Sequence, residues 1–238
     1  IIFRYLKTKK NDGFINVISI FSFTGISLGV AVLIIVMSVM NGFRTELINK
    51  IVGFNAHIIV NPNNQNLDIS QFKEKELKEI SKDFLISSSG EGVIINNNYT
   101  KGILLRGYSK KSFQKLNLVK SKDFVGNKDL NIKHISIGRE LGFNLKVKIG
   151  DKISVMSPSS INTIIGALPK QETFIVDSIF DSGLIEFDNN VAFINLNDLE
   201  KLFGLSKDKR FVEIYLKNPS EIDYARDKYL KFFPNNYI

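Results

Sequence analysis

The chain carries no charged residue from Gly13 to Phe43, with Asp12 the last charge before this stretch and Arg44 the first after it. At about 1.5 Å per helical residue the run exceeds the roughly 20 residues that cross a bilayer core. It predicts a transmembrane helix over 13–43. Beyond it the periodicity predicts a helical continuation over Arg44–Val52, a strand over Phe54–Val60, a loop over Pro62–Asn66 and an amphipathic helix over Gln71–Lys82, with Phe72, Leu77 and Ile80 inward. Strands follow at Gly92–Asn96 and Gly102–Arg106, and Ile137–Leu145 reads as helical. Val147–Met156 turns at Gly150 and Asp151 into a strand, and further strands are expected at Thr173–Phe180 and Val191–Asn195. Leu196–Phe203 reads as a helix stopped by Gly204. The tail gives an alternating strand, Phe211–Leu216, then a helix from about Asn218, Pro219 and Ser220 to Phe233. The predicted class is α+β, without detectable internal repeats.

Charge orients the span. Arg4, Lys7, Lys9 and Lys10 precede the apolar stretch, whereas Arg44 and Lys50 are mixed with Glu46 after it. The basic bias places residues 1–12 in the cytoplasm and 44–238 outside. A cleaved signal peptide also begins basic and apolar, but its core is short and ends in a small-x-small site. Here the run leads into Asn41, Gly42, Phe43 and Arg44. The mean hydropathy of +0.01 averages a very apolar N-terminus with a polar remainder. Of the net charge of +8, +3 falls on residues 1–12 (four basic, one acidic), leaving +5 spread over the rest. No Lys/Arg block interleaves with aromatics, so nucleic-acid binding is not implied. The absence of Cys excludes disulfides and thiolate chemistry.

Candidate chemistry is sparse. No G-x-x-x-x-G-K-[ST] phosphate loop occurs, so the chain is not an NTP hydrolase by that route. His57 and His134 have no ligand-spaced partner and read as surface or packed histidines. Asp177, Asp181, Glu186 and Asp188 cluster near one turn, with a spacing that fits no calcium loop; a solvated turn is expected. In the apolar stretch Gly25 and Gly29 form a small-x-x-x-small pair with Ser22 one turn earlier, a face on which a second helix can approach closely or which simply meets lipid. Ser157–Lys170, SPSSINTIIGALPK, separates two strands that would otherwise form a simple hairpin. It holds Ile161, Ile164, Ile165 and Leu168 between Pro158 and Pro169. Either it is a protruding docking loop, or the strands extend into it and those side chains pack on the domain.

Phe3–Phe43, FRYLKTKKNDGFINVISIFSFTGISLGVAVLIIVMSVMNGF, closely resembles the start of the transmembrane subunits of the lipoprotein-releasing ABC transporter, the LolC, LolE and LolF group. Ile137–Pro158, IGRELGFNLKVKIGDKISVMSP, and Asp188–Leu205, DNNVAFINLNDLEKLFGL, resemble segments of the same group's outer domain. The resemblance implies a transmembrane helix followed by a MacB-like periplasmic domain of two α+β lobes, in the bacterial inner (plasma) membrane. It implies a non-catalytic subunit that extracts lipoproteins and hands them to a LolA-like periplasmic carrier. Its partners would be a LolD-like ATPase, which uses ATP and Mg, and a second LolC/LolE-type subunit or an identical copy. No cofactor is expected on this chain.

By position, Ser157–Lys170 matches the group's carrier-binding hook, with Ser157, Pro158, Ile161, Ile164, Ile165, Leu168, Pro169 and Lys170 in it and Gln171 at an adjoining pad position. Glu172 stands where a basic residue is expected. Ser22, Gly25 and Gly29 would pack against another helix or border the lipoprotein's path. Members of the group continue with three more membrane helices, so the chain is expected to be a fragment of a longer protein. Rival assignments within the superfamily are a MacB-like efflux subunit and an FtsX-like regulator of wall hydrolases. A single-pass sensor would need an intracellular effector.

Overall fold

The computed structural model describes residues 13–62, 75–163 and 166–233. The chain divides into two compact units, Ile1–Asn49 and Lys50–Ile238. Helix α1 runs Gly13–Phe54, taking in the predicted continuation past Arg44. Over 14–46 its described side chains are nearly all exposed, with Phe14 at 77%, Phe21 at 74% and Ile26 at 70%. A helix apolar all round has no core-facing stripe, and such a surface suits lipid. Two of its hydroxyls are satisfied within the helix, Thr24 donating to the Ile20 carbonyl at 2.7 Å and Thr45 to that of Asn41 at 2.9 Å.

Because α1 extends through Phe54, the strand expected over Phe54–Val60 shrinks to β1, Ile58–Val60. At His57 the side chain adds to the ladder: the backbone N–H donates to the Ile214 carbonyl at 3.0 Å, and Nδ1 accepts the Leu216 N–H at 2.8 Å. Helix α2, Lys75–Ile80, is the described part of the helix expected over 71–82, with Leu77 fully buried. Ser81 and Lys82 already belong to a strand, and Phe72 and residues 63–66 lie outside the described residues.

The strands β2, Ser81–Asn96, and β3, Tyr99–Tyr108, are much longer than expected. The missed half of β2 reads as loop because it is rich in Ser and Gly, yet Ser87 and Ser88 are buried. Short helices α3, Lys110–Phe113, and α4, Asn117–Lys120, lead through β4, Val125–Gly126, to β5, His134–Gly138. The helix expected from Ile137 begins only at Arg139: α5 is Arg139–Leu145, and Ile137 is a ring-interior strand residue. Strands β6, Lys152–Thr163, and β7, Gly166–Phe180, follow, then α6, Ile185–Asn190, β8, Val191–Asn195, and α7, Leu196–Phe203. Gly204 ends α7 at φ +64°, as predicted. Strand β9, Phe211–Leu216, and helix α8, Ile222–Phe232, complete the chain, with the Asn218 side chain capping the intervening 3-10 turn at the Ser220 N–H.

Six strands close on themselves in the order β2-β3-β8-β5-β7-β6, with β6 returning to β2. Alternate residues point inward: Ile103 and Leu105, Ile135 and Ile137, Ile153 and Val155, Phe174 and Val176, Ala192 and Ile194 are all buried in one cluster. Helices α5 and α7 add Leu141, Leu145, Leu199, Leu202 and Phe203 to it. A second cluster, rich in Phe113, Phe124, Phe180 and Phe193, lies under α3 and α4. The smaller lobe is built on the first part of β2, where β9 and β1 pair alongside and Leu77 of α2 and Tyr229 of α8 share a core with Val60 and Ile214.

Gly138 sits where the ring and α6 touch: a Cβ there would lie 2.0 Å from the Asp188 carbonyl oxygen. Gly138→Ala is expected to destabilise the domain by about 3 kcal/mol or more, since backbone must move. At Gly102 an added Cβ meets nothing within 4 Å. Gly102→Ala, read by the same urea titration, should unfold within about 1 kcal/mol of the parent.

Candidate functional site

The segment Ser157–Lys170 is a two-stranded arm. The β6–β7 ladder runs from Lys152↔Ile175 through Ser157↔Lys170, shifts by a bulge, and continues from Ser160↔Pro169 to Thr163↔Gly166. The two strands extend into the segment from both sides, as one of the two sequence readings has it. Ile164 and Ile165, and the side chains of residues 160–167, lie outside what is described. Among the described side chains Pro158, Leu168, Pro169 and Gln171 are exposed, Leu168 at 47%. The alternative in which Leu168 packs on the domain is thereby corrected. A proline removes a ladder donor, so exposed prolines at both sides of the arm blunt its edges.

An isolated two-stranded ribbon is marginal in water. This one is held at its root by the C-terminus of α7. Ser157, 1% exposed, donates to the Leu202 carbonyl at 2.7 Å, and Ser159 to that of Phe203 at 2.6 Å. Lys170 Nζ donates to the Lys201 carbonyl. The last carbonyls of a helix lack intrahelical partners, and a lysine there also meets the negative end of the helix dipole. The sequence shows hydroxyls in the arm, but their use as a helix cap depends on β6 and α7 meeting in space.

Beside the root lies an open cavity of about 630 Å³, lined by Gly92, Val93, Ile103, Leu104, Met156 and Pro158 among others. Gly102, where an added Cβ would meet nothing within 4 Å, also lines it. Next to the arm, Glu172 pairs with Lys133 at 2.5 Å, and Lys133 also sits 5.6 Å from the Phe174 ring centroid. Lys133, the residue before β5, thus neutralises Glu172 beside the arm.

The acidic group is not a solvated turn. Asp188 is 2% exposed, and both its carboxylate oxygens accept the Ser182 N–H, at 3.0 and 3.1 Å. Asp181 pairs instead with Arg139. Burial lifts the Asp188 carboxyl to about 6, opposed by the Ser182 hydrogen bonds and reinforced by neighbouring Asp181. Among the described residues no group of three or more His, Asp or Glu side chains is placed to hold a metal. His57 and His134 are engaged structurally, the first accepting from Leu216 and the second donating from Nδ1 to the Ile132 carbonyl at 2.9 Å.

Periodicity gives no sign of the buried charge at Glu213, which is fully enclosed. It accepts from Arg106 at 2.7 Å, Ser87 at 2.7 Å, Tyr108 at 2.8 Å and Tyr215 at 3.3 Å. Arg106 also donates to Asn55, just beyond α1, at 3.3 Å. Burial opposes the Arg106 charge, but Tyr108 and Glu213 beside it hold its affinity for the proton above the ordinary value. Burial raises both tyrosines well above their usual range, with Glu213 adding to the effect. At Gly25 and Gly29 of α1 an added methyl would meet no atom within 4 Å, so the Ser22 face is open.

A family model described as the MacB-like periplasmic core domain matches residues 19–229. The chain is similar to the lipoprotein-releasing system transmembrane protein LolC of Xylella fastidiosa strain Temecula1, at 28% identity over 209 residues, which cover 85% of this chain and 50% of that protein. It is similar also to the LolE protein of the same system in Haemophilus influenzae, at 30% identity over 190 residues, covering 74% of this chain and 44% of that one. The chain spans about half the length of the curated relatives it matches. A crystal structure of the periplasmic region of MacB from Actinobacillus actinomycetemcomitans aligns over 78% of this chain and 89% of that one, with a TM-score of 0.48 and 10% identity.

Two outcomes are expected. Ser157→Ala with Ser159→Ala leaves the Leu202 and Phe203 carbonyls without donors and should cost about 2–3 kcal/mol in urea unfolding. Asp188 holds its proton more tightly folded than unfolded, so its contribution to stability falls as pH rises from about 4 to 6 and is level above. The melting temperature of the parent relative to Asp188→Asn should therefore drop across that window.

Proposed function

We propose that this chain, which belongs to the MacB-like periplasmic core domain family, is part of a membrane subunit of an ATP-driven transporter that moves lipoproteins from the inner membrane to a soluble periplasmic carrier. The named relatives support this reading, being transmembrane proteins of the lipoprotein-releasing system. The observation that carries it is the arm. A ribbon bearing exposed Leu168, with Ile161, Ile164 and Ile165 in the same segment of the sequence, is held at its root by a helix end.

The energetics set what such a subunit must do. Each methylene drawn out of lipid costs about 0.8 kcal/mol, so an acylated anchor does not leave the bilayer onto a passive surface. ATP, hydrolysed with Mg on a separate LolD-like subunit, supplies the work, and this chain has a non-catalytic role. A second LolC/LolE-type subunit or an identical copy completes the membrane part. The Ser22, Gly25 and Gly29 face of α1 packs on one of those helices or borders the lipoprotein's path. The arm then holds a LolA-like carrier near the exit, its apolar side chains entering the carrier and the exposed Gln171 and the Lys133–Glu172 pair forming a polar rest beside it.

Binding of a purified LolA-type carrier to the detergent-solubilised chain tests this. The parent is expected to bind. Leu168→Asp combined with Ile165→Asp should weaken binding by at least about tenfold with an unchanged melting temperature, since each buries a charge in an apolar contact. A parent chain that does not bind the carrier, or a double variant that binds it equally well, would refute the arm's role.

A further inference from the structure

Helices α3 and α4 and the turns around them form an excursion over 109–129 that carries six lysines, Lys110, Lys111, Lys115, Lys120, Lys122 and Lys128, against two aspartates. That surplus of +4 (six minus two) is half of the chain's +8, held in one short segment. Its inner side is fixed: Phe113, Leu116, Leu118, Val119 and Phe124 are buried in the aromatic cluster. The lysines are consequently turned outward, and all six are exposed. Asp129 folds the far end of the excursion back on α3, pairing with Lys110 at 2.5 Å and accepting from Gln114 at 2.6 Å. Lys115 pairs with Asp83. Lys111, Lys120, Lys122 and Lys128 have no carboxylate within reach among the described residues.

The place of this face in the domain matters. Ala56, two residues beyond α1, packs against the same aromatic cluster, as do Leu184 and Phe187. A Cβ at Gly183 would lie 3.3 Å from Lys50 Nζ. The lysine excursion, the 183–187 segment and residues 50–56 therefore share one end of the domain, the end at which the chain arrives from α1. Ile185 projects there at 68% exposure.

We propose that this end of the domain rests on the bilayer surface, with the unpaired lysines on anionic phospholipid headgroups and Ile185 as a small apolar contact at the interface. Clustered lysines next to a membrane span are drawn to anionic lipid, and an exposed aliphatic side chain beside them favours lipid over an acidic protein surface. The contact seats the domain on the membrane independently of the arm. It rests on α1 crossing a membrane and not on the identity of the cargo or carrier.

The full chain in nanodiscs of phosphatidylcholine, or of phosphatidylcholine with phosphatidylglycerol, provides the test. Acylation of Lys111, Lys120, Lys122 and Lys128, read by mass spectrometry against Lys207 and Lys209, should be slower by about threefold on the anionic discs, because the surface potential there depletes unprotonated amine. High salt should erase the difference. The chain contains no Trp, so in discs bounded by a Trp-free scaffold Ile185→Trp gives a single emitter. Its emission should shift to the blue on anionic discs and be quenched by brominated lipid. Equal acylation on both discs overturns the proposal, as does a tryptophan that stays solvent-like and unquenched. Acylation slowed by soluble polyglutamate but not by anionic discs would overturn it in favour of an acidic protein partner. None of these readouts involves the arm or the carrier, so each reading can fail without the other.

Discussion

Three residue pairs close the ring: Val93, Ile94 and Ile95 of β2 against Met156, Val155 and Ser154 of β6. Without that short antiparallel contact β6 would hang from β7 alone, and β2 would present a free edge beyond its pairing with β9. With it, the apolar side chains of six strands face one another and not water, and α5 and α7 have ends to cover. Closure also decides where β6 points when it leaves the ring at Met156, which is the direction of the arm. The glycines of β2 serve this closure: a Cβ at Gly92 would lie 2.8 Å from the Met156 carbonyl, and one at Gly90 would lie 2.7 Å from the Phe203 ring. Two side chains are omitted so that a strand and a helix can approach.

The smaller lobe and the ring are joined by a different device. Glu213 of β9 is buried with Arg106 and Tyr108 of β3 and Ser87 of β2, so three strands share one carboxylate. A buried ion pair is poor evidence of net stability, because desolvation offsets most of the attraction, but removing either partner leaves an uncompensated charge. Its consequence is register. Any slip of β9 along β2 would separate Glu213 from its donors. Since Arg106 also reaches Asn55, the segment that follows α1 is fixed to the same group.

What the sequence makes legible follows from locality. The apolar helix, the β8–α7 unit with its Gly204 stop, and the β9–α8 tail with Asn218 at the turn are each specified by neighbours within a few residues, and each is found where expected. The first half of β2 is not legible because Ser87, Ser88 and Gly90 are chosen by what crosses them, a carboxylate from β9 and a ring from α7. Asp188 has the spacing of a surface turn and the surroundings of a core residue, since Gly138 brings the ring against its backbone. At the candidate site the sequence marks Ser157–Lys170 as a segment between two strands and leaves open whether they extend into it; that they do, as a ribbon held at its root, is set by contacts remote in the chain. The serines that hold it find acceptors more than forty positions away in the chain.

That anchorage has a mechanical meaning. A hairpin loaded at its tip would ordinarily bend or peel at its base, where only a ladder of backbone hydrogen bonds resists. Here the base abuts the end of a helix, and Phe203, whose carbonyl takes the Ser159 proton, also presses its ring on Gly90 across the ring of strands. The base of the arm is therefore tied to the last turn of α7, and through the Phe203 ring to β2. The arm has a built-in footing, so its base and the body of the domain move as one piece.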